Sequence, residues 1–466
     1  MGNPFLRLLP FLAFFLLLIF FMLGDAYQNL HHADNLYLPL LIKDLKNGVS
    51  IHSWYYPPSP YFFPDACIIY ILSLFLGDEW ILLCFGLVNI SIILFVFYHF
   101  YHSKGKCNAY KILLIFITGQ TLSLLIANLF SKKIEPIVYL LLNGHHTSVI
   151  YLSIFLFLFL NKKNLNFLFK VLIFVVFVMA YVSDRFFIIG ILAVLLSQWG
   201  KRNHSRIKHS FFLILILIFG EILYQGLSGT INLPSHFHLL PLRLADRTIF
   251  ENLYFFLVYY YDFLKIFIFE VSFSFLLFFF SSLIFVLCFK NKLTKQDRYL
   301  LAGLFILSLG FLGIIGRYIY PHPFPFRYMI PSVVFLLFYG VFLFLKITKF
   351  NPVSSSYLIA LLVLQGITIL FIAPDSISNY REKQQRQIQI LRHLEHTTKD
   401  KIIWTNYESA NKIRFYSKDH LRPRPLDNSG YFYPWITRKN EDLHPTTMLP
   451  LPNEIIWIPN SLTKDF

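Results

Sequence analysis

The chain has 466 residues, of which 56% are hydrophobic and only 14% are charged. A soluble protein carries about a quarter charged residues, so this composition excludes an ordinary soluble globular fold. The formal net charge of +16 at neutral pH does not indicate nucleic-acid binding, because the basic residues form short clusters between long apolar segments, as in a polytopic membrane protein.

Many of the apolar segments approach the ~20 residues that a helix needs to cross a bilayer. Backbone groups inside a bilayer must bond to one another, and a helix achieves this within a single segment. The sequence therefore predicts an all-α polytopic membrane protein with about 11 transmembrane helices. In chain order, the predicted spans are Phe5–Leu23, Trp80–Phe100, Tyr110–Phe130, Thr147–Leu160, Lys170–Val182, Phe186–Trp199, Phe211–Tyr224, Val271–Phe289, Tyr299–Gly316, Met329–Leu345 and Tyr357–Ala373.

Basic residues gather in every second loop, which is the pattern of cytoplasmic loops. The clusters begin at Lys104, Lys162, Lys201, Lys290 and Lys346. This alternation predicts a cytoplasmic N-terminus, a transmembrane domain at residues 1–373 and a first extracytoplasmic loop at residues 24–79. The more polar residues 374–466 are predicted to form an extracytoplasmic C-terminal domain.

The loop after the first span carries acidic and aromatic residues, namely Asp34-Asn35-Leu36-Tyr37, then Trp54, then Asp65. A carboxylate held beside lipid is costly and often functional. Asp34 is therefore the first candidate for catalysis, with a solvated loop acid or a helix cap as the alternative. Asp65 precedes Cys67–Leu76, an apolar run too short to span, and is interpreted as the cap of an interfacial helix.

Polar residues in the later loops each have two interpretations. Glu135 either holds an acceptor or is a surface acid. His145-His146 is interpreted as interfacial hydrogen bonding, with binding of a metal or a phosphate as the alternative, because adjacent histidines point apart on a helix. Asp184-Arg185 is interpreted as an ion pair that pins a short turn, with a contact in the catalytic pocket as the alternative. Glu221 lies inside a span, where an acid is a functional hypothesis by default, although a pair with a neighbouring helix also explains it.

The segment after Pro374 has the pattern of a small α/β domain. An amphipathic helix is predicted around Ile388–Leu394, followed by a strand at Ile402–Trp404. A second helix is predicted at Ser409–Tyr416 and a further strand at Glu454–Ile458.

The cysteines predict no structural site. Cys67, Cys84, Cys107 and Cys288 have no close spacing, so neither a disulfide framework nor a zinc site is indicated. No metal-ligand set is predicted, and the sequence leaves any cofactor undetermined.

Several of these motifs together resemble the C superfamily of integral-membrane glycosyltransferases, most closely its protein O-mannosyltransferase and lipid A aminoarabinose transferase group. The first span, the Asp34–Tyr37 motif, Trp54 with Pro57-Pro58, and the short apolar helix closed by Gly77-Asp78 are similar in order to that group. Phe326–Pro331 (Phe-Arg-Tyr-Met-Ile-Pro) is similar to its Arg-Tyr–Pro segment, and Tyr407–Tyr416 to a stretch of its outer domain. The group often has Asp-Glu in place of Asp34-Asn35, and aminoarabinose transferases have more spans.

The resemblance implies transfer of a sugar from a polyprenyl-phosphate donor to a protein, lipid or glycan acceptor at the extracytoplasmic face of a bacterial inner membrane. Asp34 is then the carboxylate that activates the acceptor, and an arginine grips the leaving phosphate bidentately. Membrane lipid is the expected surrounding partner, and nucleic acid is not expected. The candidate substrate- and phosphate-binding residues are Arg327, Tyr328, Tyr37, Arg317, Glu135 and Asp184.

A different class of protein with this composition is a polytopic transporter or flippase of lipid-linked sugars. Such a protein needs polar groups distributed along its spans to line a path. In this sequence the candidate polar residues concentrate at the predicted outer ends of the spans, and a polar domain follows, which favours an enzyme. A structural membrane protein would need no carboxylate and arginine at one face.

Overall fold

The computed structural model describes most of the chain. The described residues are 4–103, 109–130, 135–162, 166–200, 203–231, 233, 249–269, 271–319, 326–398, 402–417, 421–426, 437–438 and 455–457. Helices account for most of them, so the prediction of a predominantly helical protein is confirmed. The helices are α1 (Pro4–Leu23), α2 (Tyr27–Leu30), α3 (Ala33–Lys46), α4 (Cys67–Leu72), α5 (Asp78–His102), α6 (Ala109–Phe130), α7 (Val138–Leu141), α8 (Ser148–Asn161), α9 (Phe167–Ser183), α10 (Phe187–Gln198), α11 (Asn203–Ser228), α12 (Ile249–Phe269), α13 (Phe273–Phe289), α14 (Lys295–Ile319), α15 (Ile330–Thr348), α16 (Ser355–Thr398) and α17 (Tyr407–Tyr416).

Several helix starts follow directly from local sequence. Asn166 and Ser272 precede apolar runs, and their side-chain oxygens accept hydrogen bonds from the backbone N–H groups of Phe169 and Phe275. Such caps satisfy donors that the first helical turn leaves unpaired. At the other end of the chain, the Asn406 side chain caps α17 in the same way.

Seven helices in the described part of the chain are long and apolar enough to cross a membrane. They are Phe5–Leu23, Asp78–His102, Ala109–Leu129, Arg206–Ser228, Phe273–Lys292, Ile330–Thr348 and Ser355–His396. All eleven predicted spans overlap helices, but α8, α9 and α10 have only 14, 17 and 12 residues. At 1.5 Å per residue these reach about 18–26 Å, less than the ~30 Å hydrocarbon core. The structure thus supports a polytopic helical protein without establishing eleven full spans.

Two of the longest helices differ from the sequence-based prediction. Helix α12 was not predicted, because Glu251, Asp262 and Lys265 interrupt its apolar residues. Helix α16 extends for 44 residues through Pro374, the position at which composition changes. A proline inside a helix removes one hydrogen bond and crowds the preceding turn, yet this helix continues through it. The predicted amphipathic helix around Ile388 is therefore the continuation of the last span.

Short strands follow α16. Strand β2 (Ile402–Asn406) lies between β3 (Arg422–Leu426) and β5 (Ile455–Trp457), and both pairings are parallel. The predicted strands at 402–404 and 454–458 and the helix at 409–416 therefore correspond to β2, β5 and α17. Ile403 and Ile413 pack with Leu394 of α16 in a small separate core.

The first loop packs around its own aromatic core, to which α17 contributes Phe415. Next to this core, the buried carboxylate of Asp44 accepts hydrogen bonds from Trp54 Nε1 at 2.8 Å and Arg414 Nη2 at 2.6 Å. Strand β1 (Trp54–Tyr55) also pairs antiparallel with β4 (Thr437–Arg438). These contacts fix α17 against α3, at the end of α3 opposite to Asp34.

Candidate active site

Asp34 lies in the first turn of α3. The preceding His32 is the helix cap, and its Nδ1 accepts a 3.3 Å hydrogen bond from the Asp34 backbone N–H. A carboxylate in this turn is stabilised by the helix dipole. Its side chain is 26% exposed, so the carboxylate is held in place yet accessible to a substrate.

Two residues distant in sequence meet the Asp34 carboxylate. Tyr407, the first residue of α17, donates a 3.0 Å hydrogen bond to Oδ1. Arg327 Nη1 lies 3.6 Å from Oδ2. The catalytic candidate and the phosphate-binding candidate of the sequence analysis are therefore neighbours in the structure.

Arg327 projects from a short turn at Phe326–Tyr328, immediately before α15. Its Nη2 donates a 3.3 Å hydrogen bond to the Tyr328 hydroxyl, and its guanidinium lies 5.1 Å from the centre of the Tyr328 ring. Burial opposes the positive charge, but Tyr328 and Asp34 outweigh it and raise the pKa of Arg327 above its ordinary value. The side chain is a permanent cation with five donors, suited to bidentate contact with an anion.

A layer of hydrogen-bonded residues supports Tyr328. The His146 ring packs 5.2 Å from the Tyr328 ring. Its Nδ1 lies 2.8 Å from Asp184 Oδ1, and its Nε2 lies 3.3 Å from the Tyr61 hydroxyl. His146 and Tyr61 have φ values of 62° and 54°, a backbone conformation that costs about 1–3 kcal/mol per residue and persists only where surrounding contacts impose it.

Gly144 brings a further buried carboxylate close to this layer. It has φ +65°, and a Cβ at this position would lie 3.3 Å from the Tyr61 ring, so glycine permits the close approach. Its backbone N–H donates a 3.1 Å hydrogen bond to Asp65 Oδ2. Asp65 is buried, and burial raises the pKa of its carboxyl to about 7. The interpretation of Asp65 as a helix cap is therefore wrong, because its hydrogen-bond partner belongs to a different loop.

Buried polar atoms in this region lack protein partners among the described residues. They include Asp65 Oδ1, Asn143 Oδ1 and both ring nitrogens of His145. Burial and then Arg327 lower the pKa of His145 well below its ordinary value, so its ring is neutral. Unsatisfied buried polar groups are rare in proteins, and a catalytic role is one explanation for them.

The other candidate residues are placed differently. Tyr37, predicted to contact substrate, is instead buried in the first-loop core, with its hydroxyl bonded to the Pro60 carbonyl at 3.2 Å. Glu135 accepts a 2.9 Å hydrogen bond from Ser123, and no described contact joins it to Asp34. The side chain of Arg317 lies outside the described residues.

Asp184 and Arg185 do not form the predicted ion pair with each other, because each has another partner. Asp184 contacts His146, as above, whereas Arg185 Nη2 lies 2.5 Å from Glu221 Oε2. The Tyr181 hydroxyl also donates to this carboxylate at 3.1 Å. The ion pair with Arg185 thus explains the acid Glu221 inside α11. Asp184 instead belongs to the layer of residues that supports Tyr328.

Sequence analysis did not identify Tyr407 and Tyr61 as parts of this site. Tyr407 opens the stretch that resembles the outer domain of the glycosyltransferase group, which was the one available signal. No signal pointed to Tyr61. Within the described ranges, no group of three or more His, Cys, Asp or Glu residues could hold a metal ion.

Comparison with known proteins adds no identification. No protein-family model matches this chain, and no curated protein matches it significantly. The candidate function therefore depends on the site and on the resemblance of its motifs.

Proposed function

We propose that the protein is a membrane glycosyltransferase that moves a sugar from a polyprenyl-phosphate donor to a protein, lipid or glycan acceptor. The observation that carries this proposal is the juxtaposition of Asp34 and Arg327, 3.6 Å apart and both about one-quarter exposed. A proton-accepting carboxylate beside a fixed guanidinium matches the two needs of this reaction.

The proposed reaction is a displacement at the anomeric carbon of the sugar. An acceptor hydroxyl or amine gives its proton to an Asp34 carboxylate oxygen and forms the new bond to that carbon. The bond between the carbon and the phosphate oxygen breaks, and its electron pair leaves with the polyprenyl phosphate. Arg327 stabilises the developing phosphate charge by charge-assisted hydrogen bonds, and Tyr407 keeps Asp34 oriented.

The apolar surroundings suit a lipid-linked donor. Arg327 lies immediately before α15, a helix apolar enough to cross a membrane. A phosphate held there leaves its prenyl chain at the level of the apolar helices. In this proposal the site faces the extracytoplasmic side of a bacterial inner membrane, in keeping with the alternation of basic loops.

The decisive experiment measures release of radiolabelled sugar from a polyprenyl-phosphate sugar by the purified protein in lipid nanodiscs. We expect Asp34→Asn to lower the rate by ~10²–10⁴-fold, the usual effect of losing a general base. Asp375→Asn, at an exposed position of α16, is the matched control and should retain the wild-type rate. Equal rates for both variants would remove Asp34 from the mechanism.

A transporter of lipid-linked sugars is the second candidate, and Glu135 favours it. This buried carboxyl accepts a hydrogen bond from Ser123, and burial raises its pKa to about 7. A group that exchanges protons near neutral pH beside apolar helices suits proton-coupled movement of a substrate. Transbilayer movement of a fluorescent lipid-linked sugar in proteoliposomes, without sugar release, would support this function instead.

A further inference from the structure

A cavity of about 580 Å³ lies away from Asp34, between the ends of α1 and α5, the second half of α16 and the end of α17. One wall is apolar and includes Met22, Leu23, Leu82 and Leu83. These residues end or begin two helices that are apolar enough to cross a membrane. If these two helices cross a bilayer, this wall lies near the boundary between its hydrocarbon and its headgroups.

Other residues that line the cavity are polar or aromatic. They include Tyr27, His31, Tyr380, Gln384 and Tyr416. The rings of Tyr27 and His31 lie 4.1 Å apart, and Gln384 donates to the Tyr380 hydroxyl. Burial lowers the pKa of His31 to about 4, so all five side chains are uncharged at neutral pH. Such side chains offer hydrogen bonds and ring faces to an uncharged polar group.

Both acidic and basic residues lie around the cavity. Lys43 Nζ lies 4.0 Å from Asp78 Oδ2, and Glu79 also lines the cavity. Lys383 lies over the Tyr27 ring, 5.2 Å from its centre. Asp25 also acts on Lys383, and Lys412 acts on His31. With Asp78, Glu79 and Asp25 set against Lys43, Lys383 and Lys412, the cavity presents no net positive charge for a phosphate.

The rim exposes large apolar side chains. Trp80 is 44% exposed and Ile388 is 48% exposed, and both line the cavity. Tryptophan is enriched where proteins meet the membrane surface. A rim of this kind allows a lipid to enter sideways from the bilayer.

We propose that this cavity binds a membrane lipid with an uncharged, hydroxyl-bearing headgroup. The headgroup lies among Tyr27, Gln384 and Tyr416, and one apolar chain lies along Leu23 and Leu83. This site is separate from the Asp34 site, and the proposal does not depend on the proposed glycosyl transfer.

The bound lipid would also connect the membrane helices to α17. Phe415 and Tyr416 line the cavity from one end of α17, and Tyr407 contacts Asp34 from the other end. Ten helical residues span about 15 Å. The cavity and the Asp34 carboxylate therefore contact opposite ends of the same helix.

The test uses the full chain in phosphatidylethanolamine nanodiscs that contain a monohexosyl diacylglycerol with a photoactivatable diazirine in one acyl chain. After illumination, mass spectrometry should place the cross-link on peptides that contain Leu83 or Leu391. Leu391→Trp fills the cavity and should reduce this labelling at least fivefold. Leu370→Trp is the matched control on the same helix, because Leu370 is 75% exposed, and its labelling should equal that of the wild type.

Two outcomes would overturn the proposal. One is labelling of Leu391→Trp at the wild-type level at the same peptides, and the other is equal labelling by a phosphatidylglycerol with the same diazirine chain. Size-exclusion chromatography checks that each variant is folded. If Leu391→Trp does not fold, Leu83→Trp in α5 fills the same cavity and should also reduce the labelling at least fivefold. Gln384→Ala adds no volume but removes a polar group from the proposed headgroup site, so it should also reduce the labelling.

Discussion

The Tyr407 hydroxyl donates a hydrogen bond to Asp34 Oδ1 across a separation of 373 residues in the chain. The C-terminal part of the protein therefore contributes directly to the carboxylate of the first loop. The Asp44–Arg414 pair fixes α17 against α3 at the other end of the same interface. The orientation of Asp34 thus depends on how well α17 is docked.

Tyr407→Phe should lower the rate of sugar release by ~10–150-fold while leaving folding intact. The change removes one hydrogen bond to a charged group, and such bonds contribute about 1.5–3 kcal/mol. The effect should fall on kcat, because the bond orients the catalytic carboxylate. Tyr261→Phe, at a 68% exposed position, is the matched control. Unchanged kcat in Tyr407→Phe would show that Asp34 is oriented without this bond.

Arg327→Lys should weaken binding of the polyprenyl-phosphate carrier, because lysine retains the charge but not the planar pair of donors. Arg327→Ala should weaken it further, since the charge is also lost. Carrier affinity is measured by titrating purified protein with a fluorescent polyprenyl phosphate. Arg386→Lys, on an exposed face of α16, is the control. Wild-type affinity in Arg327→Ala would exclude this residue from phosphate binding.

Arg414→Ala should destabilise the docking of α17, because it leaves the buried Asp44 carboxylate without its cation. Breaking a buried ion pair in this way costs about 3–5 kcal/mol. Limited proteolysis should then cut the segment after Thr398 faster than in the wild type. Arg386→Ala is the control, because it breaks an ion pair with Glu382 in which both side chains are more than half exposed. Such a pair contributes about 0–1 kcal/mol. The rate of cleavage should therefore be unchanged in this variant. Equal protection of both variants would contradict the docking role of Arg414.

Asp65 should make stability fall as pH rises from about 4 to about 7. Its carboxyl pKa is raised by burial from 3.8 to about 7, so in this interval the folded state holds a proton that the unfolded state has released. Since stability rises with pH only where the unfolded state binds more protons, it must fall here and level off above pH 7.

Asp65→Asn mimics the protonated carboxyl and should reduce this fall. The thermal unfolding midpoint at pH 5 and pH 8 measures it, and Asp375→Asn should leave the difference between the two midpoints unchanged. Burial also raises the pKa of Glu135, so Asp65→Asn should still lose some stability between pH 5 and pH 8. This remaining loss should be smaller in the double variant Asp65→Asn, Glu135→Gln. A pH difference that is the same in Asp65→Asn as in the wild type would contradict the assignment.

The two ends of the helical bundle should face opposite sides of the membrane. In a variant without native cysteines, Ser50→Cys should react with a membrane-impermeant thiol reagent in intact cells, whereas Lys162→Cys should react only after permeabilisation. Both native side chains are exposed, so burial does not explain a difference. The reverse pattern would invert the proposed topology and place Asp34 on the cytoplasmic side.

The sequence by itself determined the features that depend on local patterns. Continuous apolar runs specify helices because a membrane-embedded backbone must satisfy its own hydrogen bonds. The pattern of residues from Ser409 to Tyr416 likewise predicted the helix that the structure places at Tyr407–Tyr416. This reasoning had two limits. Helix α12 was not predicted because charged residues interrupt its apolar pattern. Helices α8, α9 and α10 were predicted as spans but are too short to cross the hydrocarbon core.

Only the tertiary structure decided which polar residues meet. Tyr37 is three residues from Asp34, yet it points into the first-loop core, whereas Tyr407 and Arg327 reach Asp34 from distant segments. Asp184 pairs with His146 rather than with the adjacent Arg185. Such contacts follow from the packing of whole helices, which sums many weak short-range contacts between residues far apart in the sequence. Local spacing carries no information about them.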